Sequence, residues 1–111
     1  MKTIRLENIS ALSVNACFQG RRFKTRAYKD YEQEVCALLP KRYQIPEGAL
    51  RISLIFGFSN RRQDVDGGVK AFVDILQKAY NFDDNRMYEM QLRKVIVKKG
   101  GEFIEWGIEG I

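Results

Sequence analysis

A chain of 111 residues, 45% hydrophobic and 30% charged, has the make-up of one soluble globular domain spanning 1–111 and is too short for two. A net charge of +5 favours a polyanionic partner, while the absence of histidine excludes zinc fingers, histidine triads and histidine acid–base chemistry. The two cysteines, Cys17 and Cys36, lack metal spacing and read as reduced thiols; there is no signal-peptide core and no apolar run of about 18 residues, so a cytoplasmic protein without a membrane span is expected.

Thr3 to Ile9 reads as a first strand, with Ile4 and Leu6 on one face and Arg5 and Glu7 on the other. Ser10 to Lys24 lacks a sustained period and reads as a loop or loose hairpin. Its end interleaves Arg21, Arg22, Lys24, Arg26 and Lys29 with Phe18, Phe23 and Tyr28. Such a mixture suits a phosphate backbone with bases stacked nearby; it equally suits a solvated basic loop that its aromatics anchor to the core.

Thr25 is placed to cap a helix from Arg26 to Leu38, whose apolar stripe is Tyr28, Tyr31, Val35, Leu38 and Leu39, with Pro40 ending it. Lys41 to Gly48 is a turn-rich connection. Leu50 to Phe58 is the clearest inner strand: Ile52, Leu54, Phe56 and Phe58 alternate with Arg51, Ser53, Ile55 and Gly57. A second helix comes next, with Val69, Phe72, Val73, Leu76, Ala79 and Tyr80 at the spacing of one buried face. Met87 to Lys99 reads as a strand, Gly100-Gly101 as a two-residue turn, and Phe103 to Ile108 as the returning strand, with Val97 facing Ile104 and Val95 facing Trp106. The order β-loop-α-β-α-β-β gives an α+β domain with a small mixed sheet, two helices and a C-terminal β-hairpin.

The chemistry concentrates between Asn60 and Asn85. Arg61 and Arg62 precede Asp64 and Asp66, which share a face if the segment is extended and can then share a cation. Lys70 comes one helical turn after Asp66, and the helix delivers a second acidic pair, Asp83 and Asp84, at its far end. Converging carboxylates beside a lysine and arginines suit a divalent metal and a phosphate. Each part also has a plainer reading: Asp66 as a helix cap, Lys70 in an ion pair with Asp66 or Asp74, and Asp83-Asp84-Asn85 as a polar turn. Gly67-Gly68 at the helix start suits either close approach to a phosphate or a tight turn.

The segment RRQDVDGGVKAFVDILQKAYNFDD resembles the active-site region of the RusA-type crossover junction endodeoxyribonucleases, small phage-derived Holliday junction resolvases with the pattern D-x-D-N, Lys, helix, D-D. Ser13-Val14-Asn15, the basic stretch from Arg21-Arg22 to Tyr31, and the flanking strands extend the likeness over nearly the whole chain. Where the family has asparagine after the second aspartate, this chain has Gly67. The resemblance implies that Asp64, Asp66 and Asp84 are the essential carboxylates, that Lys70 is the assisting lysine and that Asp83 is the other member of the acidic pair. It implies a homodimer with two identical sites cutting a four-way junction symmetrically, in DNA recombination and repair. The expected reaction is phosphodiester hydrolysis with one or two Mg²⁺ ions, Mn²⁺ substituting, held by Asp64, Asp66, Asp84 and Asp83 as a further candidate. Lys70 would steady the transition-state charge, and Arg21, Arg22, Lys24, Arg61 and Arg62 would position the DNA backbone. The alternatives are a nuclease for flapped or otherwise branched DNA and a non-catalytic DNA-binding protein of the same fold.

Overall fold

The computed structural model describes residues 2–19 and 23–111. Its central strand is β4, Leu50–Phe58, and the elements around it are β1 (Ile4–Glu7), β2 (Phe18–Gln19), β3 (Phe23–Lys24), α1 (Arg26–Leu38), α2 (Val69–Tyr80), β5 (Met87–Ile96) and β6 (Phe103–Gly110). Short 3₁₀ turns occupy Val14–Ala16 and Asp84–Arg86. The architecture is α+β: a four-stranded mixed sheet in the order β1-β6-β4-β5, two helices, and a separate two-stranded β2-β3 ribbon.

The strict alternation in β4 explains its place. Leu50, Ile52, Leu54 and Phe56 are fully buried and meet a core supplied by Tyr28, Tyr31 and Val35 of α1 and Ala71, Phe72, Ile75 and Leu76 of α2. A strand so apolar on one face is best covered when it has neighbours on both edges. The crossover through α2 returns the chain parallel to β4, pairing Leu54 with Leu92 and Phe58 with Ile96. On the other side β6 runs antiparallel to β4, pairing Leu54 with Trp106 and Phe56 with Ile104.

The last two strands turn back antiparallel as expected, and Gly100 supplies the positive φ, +95°, at the turn closed by Gly101 N–H donating to Lys98 O at 2.8 Å. They do not pair with each other. β4 lies between them, so the expected contacts Val97–Ile104 and Val95–Trp106 are replaced by Gly57–Val95, Phe56–Ile104 and Leu54–Trp106. Val97 N–H still donates to Phe58 O at 2.8 Å, so the chain follows β4 to its end before crossing it. Burying β4 in the middle outweighs the shorter connection that a direct hairpin would have allowed.

Helix α1 begins and ends where the sequence places it. Thr25 Oγ1 accepts from Tyr28 N–H at 3.1 Å, and the helix stops before Pro40. Tyr28, Tyr31, Val35 and Leu39 are buried, whereas Leu38 is exposed. In α2 the buried face is Ala71, Phe72, Val73, Ile75 and Leu76; Ala79 of the expected stripe faces outward. Trp106 is buried among Tyr43, Phe72 and Tyr80. Because β1 covers only Phe103–Trp106 of β6, the edge beyond it needs another partner. The Tyr43 hydroxyl provides one, donating to Ile108 O at 3.2 Å and accepting from Ile108 N–H at 3.1 Å.

The expected loose hairpin over Ser10–Lys24 is present as β2 and β3, paired Phe18–Lys24 and Gln19–Phe23. Gly68 packs hard beneath the preceding loop: a Cβ there would lie 2.7 Å from the Ala11 Cβ, whereas one on Gly67 would meet nothing closer than 3.5 Å. Gly68→Ala is therefore expected to destabilise the domain by about 1–3 kcal/mol through overpacking, and Gly67→Ala to change stability by less than about 1 kcal/mol. Chemical denaturation of the two variants checks this, and equal stabilities would contradict the packing.

Candidate metal and nucleic-acid site

The strand that carries the core ends at Phe58, and the segment from there to the start of α2 forms the candidate site. It does not continue extended. Asn60 Oδ1 accepts from Arg62 N–H at 2.9 Å, and Asn60 O accepts from Gln63 N–H at 3.4 Å, closing a first turn. Asp64 O accepts from Gly67 N–H at 3.2 Å and Asp66 O from Val69 N–H at 3.1 Å, winding the chain into α2. The expected face-sharing of Asp64 and Asp66 through an extended backbone is thus replaced by successive turns. Both residues are exposed, and among the described residues neither carboxylate takes part in an ion pair.

The plainer reading of Asp66 does not hold either. The helix N-cap is Gly68, with no side-chain hydrogen bond, so the Asp66 carboxylate is not engaged in capping. Lys70, on the first turn of α2, lies 3.6 Å from Asp74 and is well exposed. A surface pair at i,i+4 contributes only about 0.3–0.5 kcal/mol, so this contact leaves the ammonium available to an anion.

The loop is held from two further sides. Gly67 O accepts from Val14 N–H at 3.0 Å, fastening it to the 3₁₀ turn that precedes β2. From β5, Lys94 Nζ donates to Arg61 O at 3.0 Å and Gln63 O at 2.7 Å. Lys94 pairs with Phe56 on the helix-facing side of the sheet, between Leu92 and Ile96. A lysine at an inward position of a strand is a sequence signal for such a role, obscured here because the alternation of β5 is weak.

Asp84 is not brought to Asp64 and Asp66 within one chain, which corrects the expected three-aspartate cluster. α2 runs back along the sheet for about 18 Å at 1.5 Å per residue. Met87, directly after the Asp84–Arg86 turn, then pairs with Leu50 at the opposite end of β4. β4 itself spans about 27 Å. Arg86 fixes that end, donating to Gly48 O at 3.1 Å and to Pro46 O. Asp83 caps the turn, accepting from Asn85 N–H at 3.1 Å, as the polar-turn reading has it. Among the described residues no three carboxylate or thiol side chains are gathered to hold a metal. Asp64 and Asp66 alone still fit Mg²⁺, which typically takes one or two carboxylates and fills its shell with water and substrate phosphate oxygens.

The basic residues divide. Arg61 and Arg62 are exposed on the site loop itself. Lys24 is committed elsewhere: its Nζ lies 2.9 Å from Glu32, which also takes Lys78 at 3.1 Å, tying β3, α1 and α2 together. Partial burial opposes ionisation of Glu32, but the hydrogen bonds from Lys24 and Lys78 outweigh it and hold the carboxyl below its ordinary 4.5. Arg21 and Arg22 lie outside the described residues. Of the interleaved aromatics, Tyr28 is buried and packs edge-to-face on Phe18 at 5.6 Å, so both anchor the ribbon. Phe23 is 74% exposed and free to stack on a base. Burial, foremost, pushes the hydroxyls of Tyr28 and Tyr80 up to about 12, so neither offers a phenolate at neutral pH.

No family model matches the chain, and no curated protein matches it. No helix among the described residues is long and apolar enough to cross a membrane. The loop geometry makes Lys94 the positioning residue for the candidate site. Lys94→Met should leave amide exchange in β4 unchanged and speed exchange in residues 60–67, measured by hydrogen–deuterium exchange. Unaltered protection of that loop would remove Lys94 from the support of the site.

Proposed function

We propose that the protein is a Mg²⁺-dependent endodeoxyribonuclease of the RusA type that resolves four-way DNA junctions as a homodimer. The observation that carries this reading is the exposed loop after β4, where Asp64 and Asp66 stand with Arg61, Arg62 and Lys70 on a backbone fixed by Lys94 and Val14. Two free carboxylates amid cations suit a cation-bridged phosphate better than either a free metal or bare DNA.

Asp64 and Asp66 would hold Mg²⁺, which polarises the phosphate and acidifies the attacking water when bound. Lys70 projects from the helix N-terminus, where its charge and the helix dipole both favour the phosphorane-like negative charge of the transition state. Arg61 and Arg62 grip flanking phosphates and fix the strand in register, without reading its sequence. Arg21 and Arg22, outside the described residues, would contact DNA phosphates as the family resemblance implies, and exposed Phe23 would offer a base a stacking face. Lys24 contributes by holding the β2-β3 ribbon on Glu32. Asp84, at the far end of α2, would join Asp64 and Asp66 only from a second copy, which would give the proposed dimer a chemical purpose. Mn²⁺ would substitute for Mg²⁺ through the same oxygen ligands.

A second reading, binding of branched DNA without turnover, is favoured by that same separation of Asp84. The two part on one assay. Labelled four-way junction, flap and duplex DNA are incubated with the protein in Mg²⁺ or in chelator. The nuclease reading expects symmetric cleavage of the junction in Mg²⁺ only. It expects a loss of at least about 10²-fold on Asp64→Asn or Asp66→Asn, with junction binding retained. Binding without cleavage by the unaltered protein would select the second reading, and cleavage at an undiminished rate by Asp64→Asn would overturn the assignment of the site.

A further inference from the structure

The end of the sheet that bears the site loop bears a second group of charges. β5 ends at Ile96 and β6 begins at Phe103, and because β4 lies between them their connection crosses the end of β4. Val97 N–H donates to Phe58 O at 2.8 Å, so the connection sets out beside the last residue of β4. The site loop sets out from that same residue. The Ser59 hydroxyl then donates to Glu102 at 2.8 Å, joining the first residue of the loop to the last residue of the connection.

The connection is a small closed turn. Gly101 N–H donates to Lys98 O at 2.8 Å, Gly100 supplies the positive φ, and Gly100 N–H donates to Glu102 Oε1 at 2.9 Å. Glu102 thus engages one carboxylate oxygen with Gly100 and the other with Ser59. The hydrogen bond from Ser59, foremost, holds its carboxyl below its ordinary 4.5, with a smaller contribution from the charge of Lys99. The brace is therefore ionised at neutral pH. Lys98 and Lys99 are exposed, and among the described residues neither takes part in an ion pair. Glu7, opposite Phe103 on β1, is held by Arg5 at 2.8 Å.

We infer that the Lys98-Lys99 turn is a second phosphate-contacting surface, which extends the DNA path from the Asp64–Asp66 loop over the end of β4. This surface deepens the nuclease reading and rests on it. Arg61, Arg62, Lys98 and Lys99, all exposed and all without an ion pair among the described residues, then line one end of the sheet. Backbone lengths put the Cα atoms of Lys98 and Arg61 at most about 20 Å apart. One strand of B-DNA carries a charge about every 3.4 Å along the axis, so that span takes in about six phosphates. Lysines at an exposed turn are ordinarily solvated charges on a loose backbone. These stand on a turn tied to the site loop through Phe58 and Ser59, so only their side chains need ordering when DNA binds. As point charges they hold the backbone without reading bases.

The test reads binding separately from cleavage. A labelled four-way junction is titrated with the protein in chelator over a series of salt concentrations. Lys98→Gln/Lys99→Gln should make the log–log salt dependence shallower by about 1–2 units, since each lost duplex phosphate contact removes about 0.9. Lys98→Arg/Lys99→Arg keeps both charges and should keep the slope. Lys41→Gln/Arg42→Gln removes the same charge beside Pro40, whose carbonyl accepts from the Tyr80 hydroxyl at the far end of α2. That control should stay within about 0.5 unit of the unaltered slope. A Lys98→Gln/Lys99→Gln protein with an unchanged circular dichroism spectrum and an unchanged slope would overturn the proposal. So would an equal flattening in the Lys41/Arg42 control. In either case junction cleavage by the unaltered protein in Mg²⁺ leaves the nuclease reading standing, whereas an unaltered protein that neither binds nor cuts DNA overturns both.

Discussion

The parallel pairing of β4 with β5 through α2 fixes where the acidic candidate residues, Lys70, Arg61 and Arg62 end up. A strand that leads through a helix into a parallel neighbour requires the helix to travel back along the sheet. Residues before the helix therefore sit at the carboxyl end of β4, and residues after it sit at the amino end. The motif that is continuous in sequence is thereby split across the molecule, with Arg61, Arg62, Asp64, Asp66 and Lys70 at one end and Asp83 and Asp84 at the other. The helix that separates the two acidic pairs in sequence also holds them apart in space.

The same pairing supplies the support that the site loop needs. A loop beyond the central strand has no ladder of its own, and its orphan carbonyls need donors. Lys94 supplies one ammonium to two of them, at 3.0 and 2.7 Å. A lysine on the inward side of a sheet is costly unless its head finds acceptors, and these acceptors belong to the loop with the greatest density of functional groups. On the opposite flank, Val14 N–H and the Ala11–Gly68 contact press the N-terminal segment onto the same loop. The carboxylates stay exposed while their backbone is braced, which is the arrangement a metal-and-phosphate site requires.

Local features were legible in the residues, and long-range ones were not. Thr25 as a cap, α1 over Arg26–Leu38 and β4 over Leu50–Phe58 rest on capping chemistry and period, both of which act over a few residues. The glycine turn before Phe103 was equally plain. The strand order was not, because alternation says which face of β6 is buried and not which strand lies beside it. Two consecutive strands about a glycine turn read as paired neighbours until β4's need for cover on both edges is taken into account. The extended reading of Asp64–Asp66 failed because Asn60 and the Gly67-Gly68 pair turn the chain by local hydrogen bonds that hydrophobic pattern does not register. Lys24 looked like a phosphate ligand, and its tie to Glu32 comes from a helix residue eight positions on.

Under the proposed homodimeric nuclease, the acidic residues divided between the ends of one chain would meet only across two chains, and a mixing experiment tests that directly. Asp64→Asn and Asp84→Asn proteins, each inactive alone on a four-way junction in Mg²⁺, are combined and allowed to exchange subunits. If each site takes Asp64 from one copy and Asp84 from the other, the mixed dimer contains one doubly altered site and one wholly intact site, and nicking of one junction strand returns. If both aspartates act within the same chain, every site in the mixed dimer carries one lesion, and activity stays at the level of the separate variants.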